Sequence, residues 1–139
     1  IDFVFGTVKR NYTKSSILKY GFNIKKLSYN FDFATSHTSG FFLKNKIYKK
    51  IGYFNTKYLC SADYDIYLKA LMKLKISGTS TKKKELIGII KSGGFSSKYG
   101  FMNHIIEEAK IRIDNGQNIL LIIIIFINAI IKKIFKEIF

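Results

Sequence analysis

Apolar residues alternate and then run together as Phe3-Val4-Phe5 at the start of the chain, the pattern of a buried strand over residues 1–8 closed at or soon after Gly6. Residues 9–28 are polar and basic without a clear period, so a loop or a weak hairpin is expected there. Gly40-Phe41-Phe42-Leu43 reads as a second short core strand. In residues 44–51 the four-residue spacing of Ile47 and Ile51 predicts a helix, with Gly52 placed to end it. A longer helix is predicted from Asp63, where Tyr64, Tyr67, Leu68, Leu71 and Leu74 share one face while Lys69 and Lys73 stand off it. Residues 77–84 read as a polar loop and residues 86–90 as a short β-branched strand that ends at Lys91-Ser92-Gly93-Gly94. Residues 101–113 form an amphipathic helical pattern stopped near Asn115-Gly116. Strands and helices alternate, which predicts an α/β domain over residues 1–118.

The tail, residues 119–139, breaks that pattern. Residues 119–131 are apolar except for Asn128, and lysines begin at Lys132. A bilayer span needs about 20 apolar residues, and this run stops short. Its second half puts Ile127, Ile130, Ile131, Ile134, Phe135 and Ile138 on one stripe, with Lys132, Lys133 and Lys136 away from it. Two readings fit: a helix lying in a membrane interface, or a helix packed over a groove of protein.

Charge narrows the choice of partner. The formal net charge is +15, and Arg contributes only Arg10 and Arg112. Readers of nucleic acid favour the planar Arg fork for base and phosphate contacts, so this Arg-poor chain is not expected to bind nucleic acid. Lysines beside an apolar tail suit an anionic membrane face, although abundant Lys, Ile and Asn also follow from AT-rich coding sequence. The single Cys excludes a disulfide framework and, without a His cluster, a zinc site; a reducing, cytosolic setting is expected. The apolar start without Met reads as a cut through a longer protein.

Three segments carry candidate chemistry. The first is Ser36-His37-Thr38-Ser39-Gly40-Phe41-Phe42, followed by a helix that ends in Gly52-Tyr53-Phe54. The second is Ala62-Asp63-Tyr64-Asp65-Ile66-Tyr67-Leu68-Lys69, and the third is Gly93-Gly94-Phe95-Ser96. In this order they resemble the second half of bacterial family 2 glycosyltransferases that build O-antigen and capsule polysaccharides. The family's His-Gln-x-x-Phe strand, Gly-x-Phe-Asp helix end, Ala/Glu-Asp-Tyr-Asp-x-x-x-Arg and Gly-Gly-Val-Ser all have counterparts here. Residues 1–6 also fit the strand that precedes these motifs, so the likeness covers residues 1–99.

The resemblance implies a partial GT-A fold without its N-terminal nucleotide-binding half, and an inverting transfer of sugar from a nucleotide donor to an acceptor hydroxyl. Such a reaction needs a base for the acceptor proton, and a carboxylate within hydrogen-bond reach of that hydroxyl serves. Asp63 matches the family's base; on its own, an Asp ahead of an apolar helix also reads as a simple helix cap. His37 and Thr38 would line the pocket, Thr38 standing where the family has Gln. Asp65 lies in the first helical turn as a secondary contact. Lys69 replaces the family's Arg, keeping the charge and losing the fork. Gly93, Gly94 and Ser96 would form a loop near the donor phosphates.

Mg²⁺ or Mn²⁺ would be held by an Asp-x-Asp upstream of residue 1, and no metal is assigned to Asp63 and Asp65. The expected partners are a nucleotide sugar and a glycan or lipid-linked acceptor at the cytoplasmic face of the inner membrane, in cell-surface polysaccharide synthesis. A basic membrane-surface module without enzymatic activity is the alternative. His104 and Cys60 read as packing or surface residues.

Overall fold

The structure, a computed structural model, describes residues 1–12, 15–29, 38–91 and 93–138. It is mixed α/β, and among these residues two small mixed sheets sit against helices. In the first sheet β1 (Phe3–Phe5) is central, antiparallel to β4 (Phe41–Leu43) and parallel to β5 (Gly78–Ser80). In the second, β2 (Thr7–Asn11) is central, antiparallel to β3 (Ser16–Lys19) and parallel to β6 (Leu86–Lys91). The strand expected at the start of the chain therefore continues past Gly6 into a second sheet, and the weak hairpin is β2 with β3.

The break at Gly6 has a steric cause. A Cβ there would lie 2.5 Å from Ile87 Cγ1, so only glycine lets the two sheets meet this closely. Thr7, fully buried, is satisfied across the break: its N–H donates to Thr81 Oγ1 at 2.9 Å and its hydroxyl donates to the Lys82 carbonyl at 3.0 Å. Close approach also explains β5, which lies within the stretch expected to be a polar loop. Gly78 pairs with Phe3, and a Cβ at residue 78 would stand 2.4 Å from the Phe3 ring. Gly-Thr-Ser has no strand signal of its own; the absent side chain is what admits the ring.

The helices are α1 (Ile24–Tyr29), α2 (Asn45–Ile51), α3 (Ala62–Tyr67), α4 (Phe95–Tyr99), α5 (Phe101–Asp114) and α6 (Ile119–Ile138). Leu68–Lys73 continues α3 as a π-helix, with the Leu74 N–H donating to the Lys69 carbonyl at 2.9 Å. The wider turn rotates later residues off the α-helical stripe. Tyr64, Tyr67, Leu68 and Leu71 are buried as the spacing predicts, whereas Leu74 is exposed.

One core joins the first sheet to α1, α3, α5 and α6. Phe3, Phe5, Tyr67, Leu71, Ile105, Ile111 and Ile125 belong to a single cluster, so the apolar tail packs into the same interior as the strands. Phe41 lies tilted against Phe5 with ring centres 4.7 Å apart and meets Tyr67 edge-on at 4.7 Å. Arg112 is fully buried beneath the Tyr64 ring and donates to the Leu27 carbonyl at 2.5 Å and to Gln117 Oε1 at 2.6 Å. It ties α5 to α1 and supports α3 from below. No helix among the described residues is long and apolar enough to cross a membrane.

Candidate active site

Asp63 stands in the first turn of α3, one residue beyond the position that opens the helix. The cap position is Ser61, and its side chain makes no cap bond. The turn before the helix is held from outside, by Glu107 on α5. Glu107 Oε1 accepts the backbone N–H groups of Cys60 at 2.8 Å and Ser61 at 2.6 Å; Oε2 accepts that of Leu59 at 2.9 Å and the Tyr99 hydroxyl at 3.0 Å. Burial works against the charge on Glu107, but these donors outweigh it and hold the carboxyl below its ordinary range. The chain leading to Asp63 is thus wrapped around a buried carboxylate from a distant helix.

Asp63 is half-buried and edges a cavity of about 80 Å³ lined also by Thr38, Phe41, Tyr48, Phe54, Ile66 and Tyr67. Its Oδ1 accepts the Tyr64 N–H at 2.8 Å, and its Oδ2 accepts the Thr38 hydroxyl. Burial raises the phenols of Tyr48 and Tyr67, and the Asp63 charge adds to the effect at Tyr67; both rings carry neutral hydroxyls. At the rim, Tyr53 lies flat against Tyr48 with centroids 5.9 Å apart, and Phe54 sits beside it at 6.2 Å. Tyr53 and Phe54 are more than half exposed. One carboxylate, three hydroxyls and an exposed aromatic edge therefore converge. Whole-ligand pockets measure roughly 300–1,000 Å³, so this cavity takes one hydroxyl-bearing edge of a ligand rather than all of it.

The other expected contact residues are placed differently. Asp65 is 1% exposed, and both oxygens are engaged inside the protein: Lys69 Nζ donates to Oδ2 at 2.6 Å and Asn115 Nδ2 to Oδ1 at 2.7 Å. Asp65 and Lys69 form a helical i,i+4 ion pair, and the Asn115 bond joins Asp65 to the end of α5; neither Asp65 nor Lys69 lines the cavity. Gly93 has φ +92° and Gly94 precedes the short helix α4, on which Ser96 is exposed. Burial pushes the Cys60 thiol up, and a hydrogen bond with Ser96 opposes it, so Ser96 lies beside the turn that precedes Asp63. His37 lies outside the described residues.

Sequence reasoning overlooked several neighbours. The charge of Asp63 is felt at Cys60, His104 and Glu108. His104 Nδ1 stands 3.2 Å from Glu108 Oε1, and this contact raises the imidazole above its ordinary value. Glu108 is itself pushed up by burial, with His104 opposing. Tyr48, Tyr53 and Phe54 sit in the quoted helix-end segment, whose aromatic character was the available signal. Glu107 gave none, because its role depends on a fold that brings it back to residues 59–61. Among the described residues no three His, Cys, Asp or Glu side chains group so as to hold a metal ion. The chain matches no protein-family model, no curated protein and no solved structure.

Proposed function

We propose that this chain supplies the acceptor side of an inverting, family 2-like glycosyltransferase, with Asp63 as the general base. The observation that carries the reading is the Thr38 hydroxyl already donating to Asp63 Oδ2 at the cavity edge: an alcohol reaches this oxygen, and its second lone pair can take another. An acceptor sugar would stack against Tyr53 and Phe54 and direct one hydroxyl to Asp63. As that oxygen attacks the anomeric carbon, its proton passes to Oδ2, the bond to the donor diphosphate breaks, and the configuration inverts. Tyr48, neutral at physiological pH and lining the cavity, would help orient the incoming sugar. On this reading the donor diphosphate and the divalent cation belong to the Asp-x-Asp motif of the resembled family, and Asp63 and Asp65 hold neither.

The test measures sugar-nucleotide turnover by the full-length encoded protein, against its Asp63→Asn and Phe54→Ala variants. Loss of the base should cost roughly 10²–10⁴ in kcat, the span of general acid–base catalysis. Phe54→Ala should act on acceptor KM. Full turnover in Asp63→Asn removes the assignment.

A further inference from the structure

Helix α6 has two apolar faces, and the fold uses one. Ile122 and Ile125 are buried in the core, with Leu121, Phe126, Ala129 and Ile130 packed beside them. The opposite face carries Leu120, Ile124, Ile127, Ile131, Ile134 and Phe135, each between 45% and 68% exposed. These positions recur at helical spacing and form an unbroken apolar ridge about 22 Å long, at 1.5 Å per residue. At its far end the ridge meets exposed Phe101 and Met102 across a groove shared with Ile130, Lys133 and Ile134. Lys133 Nζ lies 5.8 Å from the centre of the Phe101 ring, and Lys132 is exposed on the helix flank away from the ridge.

We infer that this ridge docks the protein on an anionic lipid surface, with α6 lying in the plane of the interface. The charge selects the occupant. A second copy would bring +15 against +15 across a face flanked by lysines, which opposes self-association. The strongest anchors of protein interfaces are Trp, Tyr and Arg, and the ridge has none of these. An apolar helix side of Leu, Ile and one Phe with lysines behind it matches a bilayer surface, where the ridge enters the acyl boundary and the lysines reach the headgroups. No described helix is long and apolar enough to cross, so the helix lies flat. This inference is independent of the chemistry assigned to Asp63.

Vesicle co-sedimentation of the 139-residue chain tests it. Vesicles of equal parts phosphatidylcholine and phosphatidylserine should bind the chain, pure phosphatidylcholine should bind it far less, and salt should weaken the binding. Ile127→Ser with Ile131→Ser should lower partitioning about tenfold or more, from the apolar area kept in water. Lys132→Gln with Lys133→Gln should cost roughly fivefold per lysine. Leu120→Ser with Ile124→Ser repeats the first test two turns away should that variant unfold, as read by circular dichroism. Equal binding by a folded serine variant, or no binding to the anionic vesicles, overturns the inference. So does sedimentation velocity showing a dimer that the serine changes dissolve while vesicle binding stays unchanged; the ridge would then be a self-interface.

Discussion

Replacing Glu107 with Ala probes how the approach to Asp63 is held. The carboxylate accepts four hydrogen bonds, from the N–H groups of Leu59, Cys60 and Ser61 and from the Tyr99 hydroxyl. Bonds to an ionised acceptor contribute roughly 1.5–3 kcal/mol each. Leu59 is exposed and Tyr99 half-buried, so water replaces those two partners readily; Ser61 is buried and Cys60 half-buried, and their donors would lose most. The expected cost is therefore about 3–5 kcal/mol, a large part of the ~5–15 kcal/mol that holds a typical domain folded. Glu107→Gln keeps one acceptor oxygen but sets an amide N–H against that of Leu59, for about 1–3 kcal/mol.

Urea unfolding followed by circular dichroism measures both changes. A pH series adds a second readout. The folded Glu107 carboxyl lies below the ordinary 4.5, so its contribution is present above that value and is lost as pH falls through the lower, folded one. The Gln variant should lack this acid-side loss. An Ala variant within about 0.5 kcal/mol of the parent, the range of an ordinary surface change, would refute the account.

Two further changes address the packing and the charge cluster. Gly78→Ala should destabilise by about 1–3 kcal/mol through the clash with the Phe3 ring. A double-mutant cycle with Phe3→Leu should recover part of that loss, and an additive cycle would mean the ring is not the cause. His104 is raised above 6.5 by its hydrogen bond to Glu108, with burial opposing and the charges of Glu108, Asp63 and Glu107 assisting. Its stabilising contribution is therefore full below pH 6.5 and is lost as pH rises through the folded value. The stability difference between the parent and His104→Gln should shrink over that rise; a pH-independent difference would show that the ion pair contributes nothing.

Local patterns carried most of the elements. Phe3-Val4-Phe5, Phe41-Phe42-Leu43 and the stretch from Leu86 form strands, and the helices at Asn45, Ala62, Phe101 and Ile119 begin close to where the spacing puts them. The misses fall where local spacing does not decide the outcome, and they include α1, a helix that begins within the stretch expected to be a loop or weak hairpin. β5 exists because Gly78 admits the Phe3 ring, and Leu74 leaves its face because the helix widens into a π turn. The same holds at the site. An Asp at the start of an apolar helix could be seen from the residues, but its setting could not. Asp65 lies two positions away and has the same chemistry, yet it is locked inside against Lys69 and Asn115.

The order of residues by itself determined most of the helices and strands, that one helix opens with two carboxylates, and that the tail is apolar with lysines at its end. Periodicity is a local property, and burial follows it wherever a face is continuous. Only the tertiary structure decided which carboxylate edges a cavity, which face of the tail helix enters the core, and that Glu107 is the group that holds the turn before Asp63. Each of these is settled by contacts between residues tens of positions apart, whose free energy appears only once the chain has closed on itself.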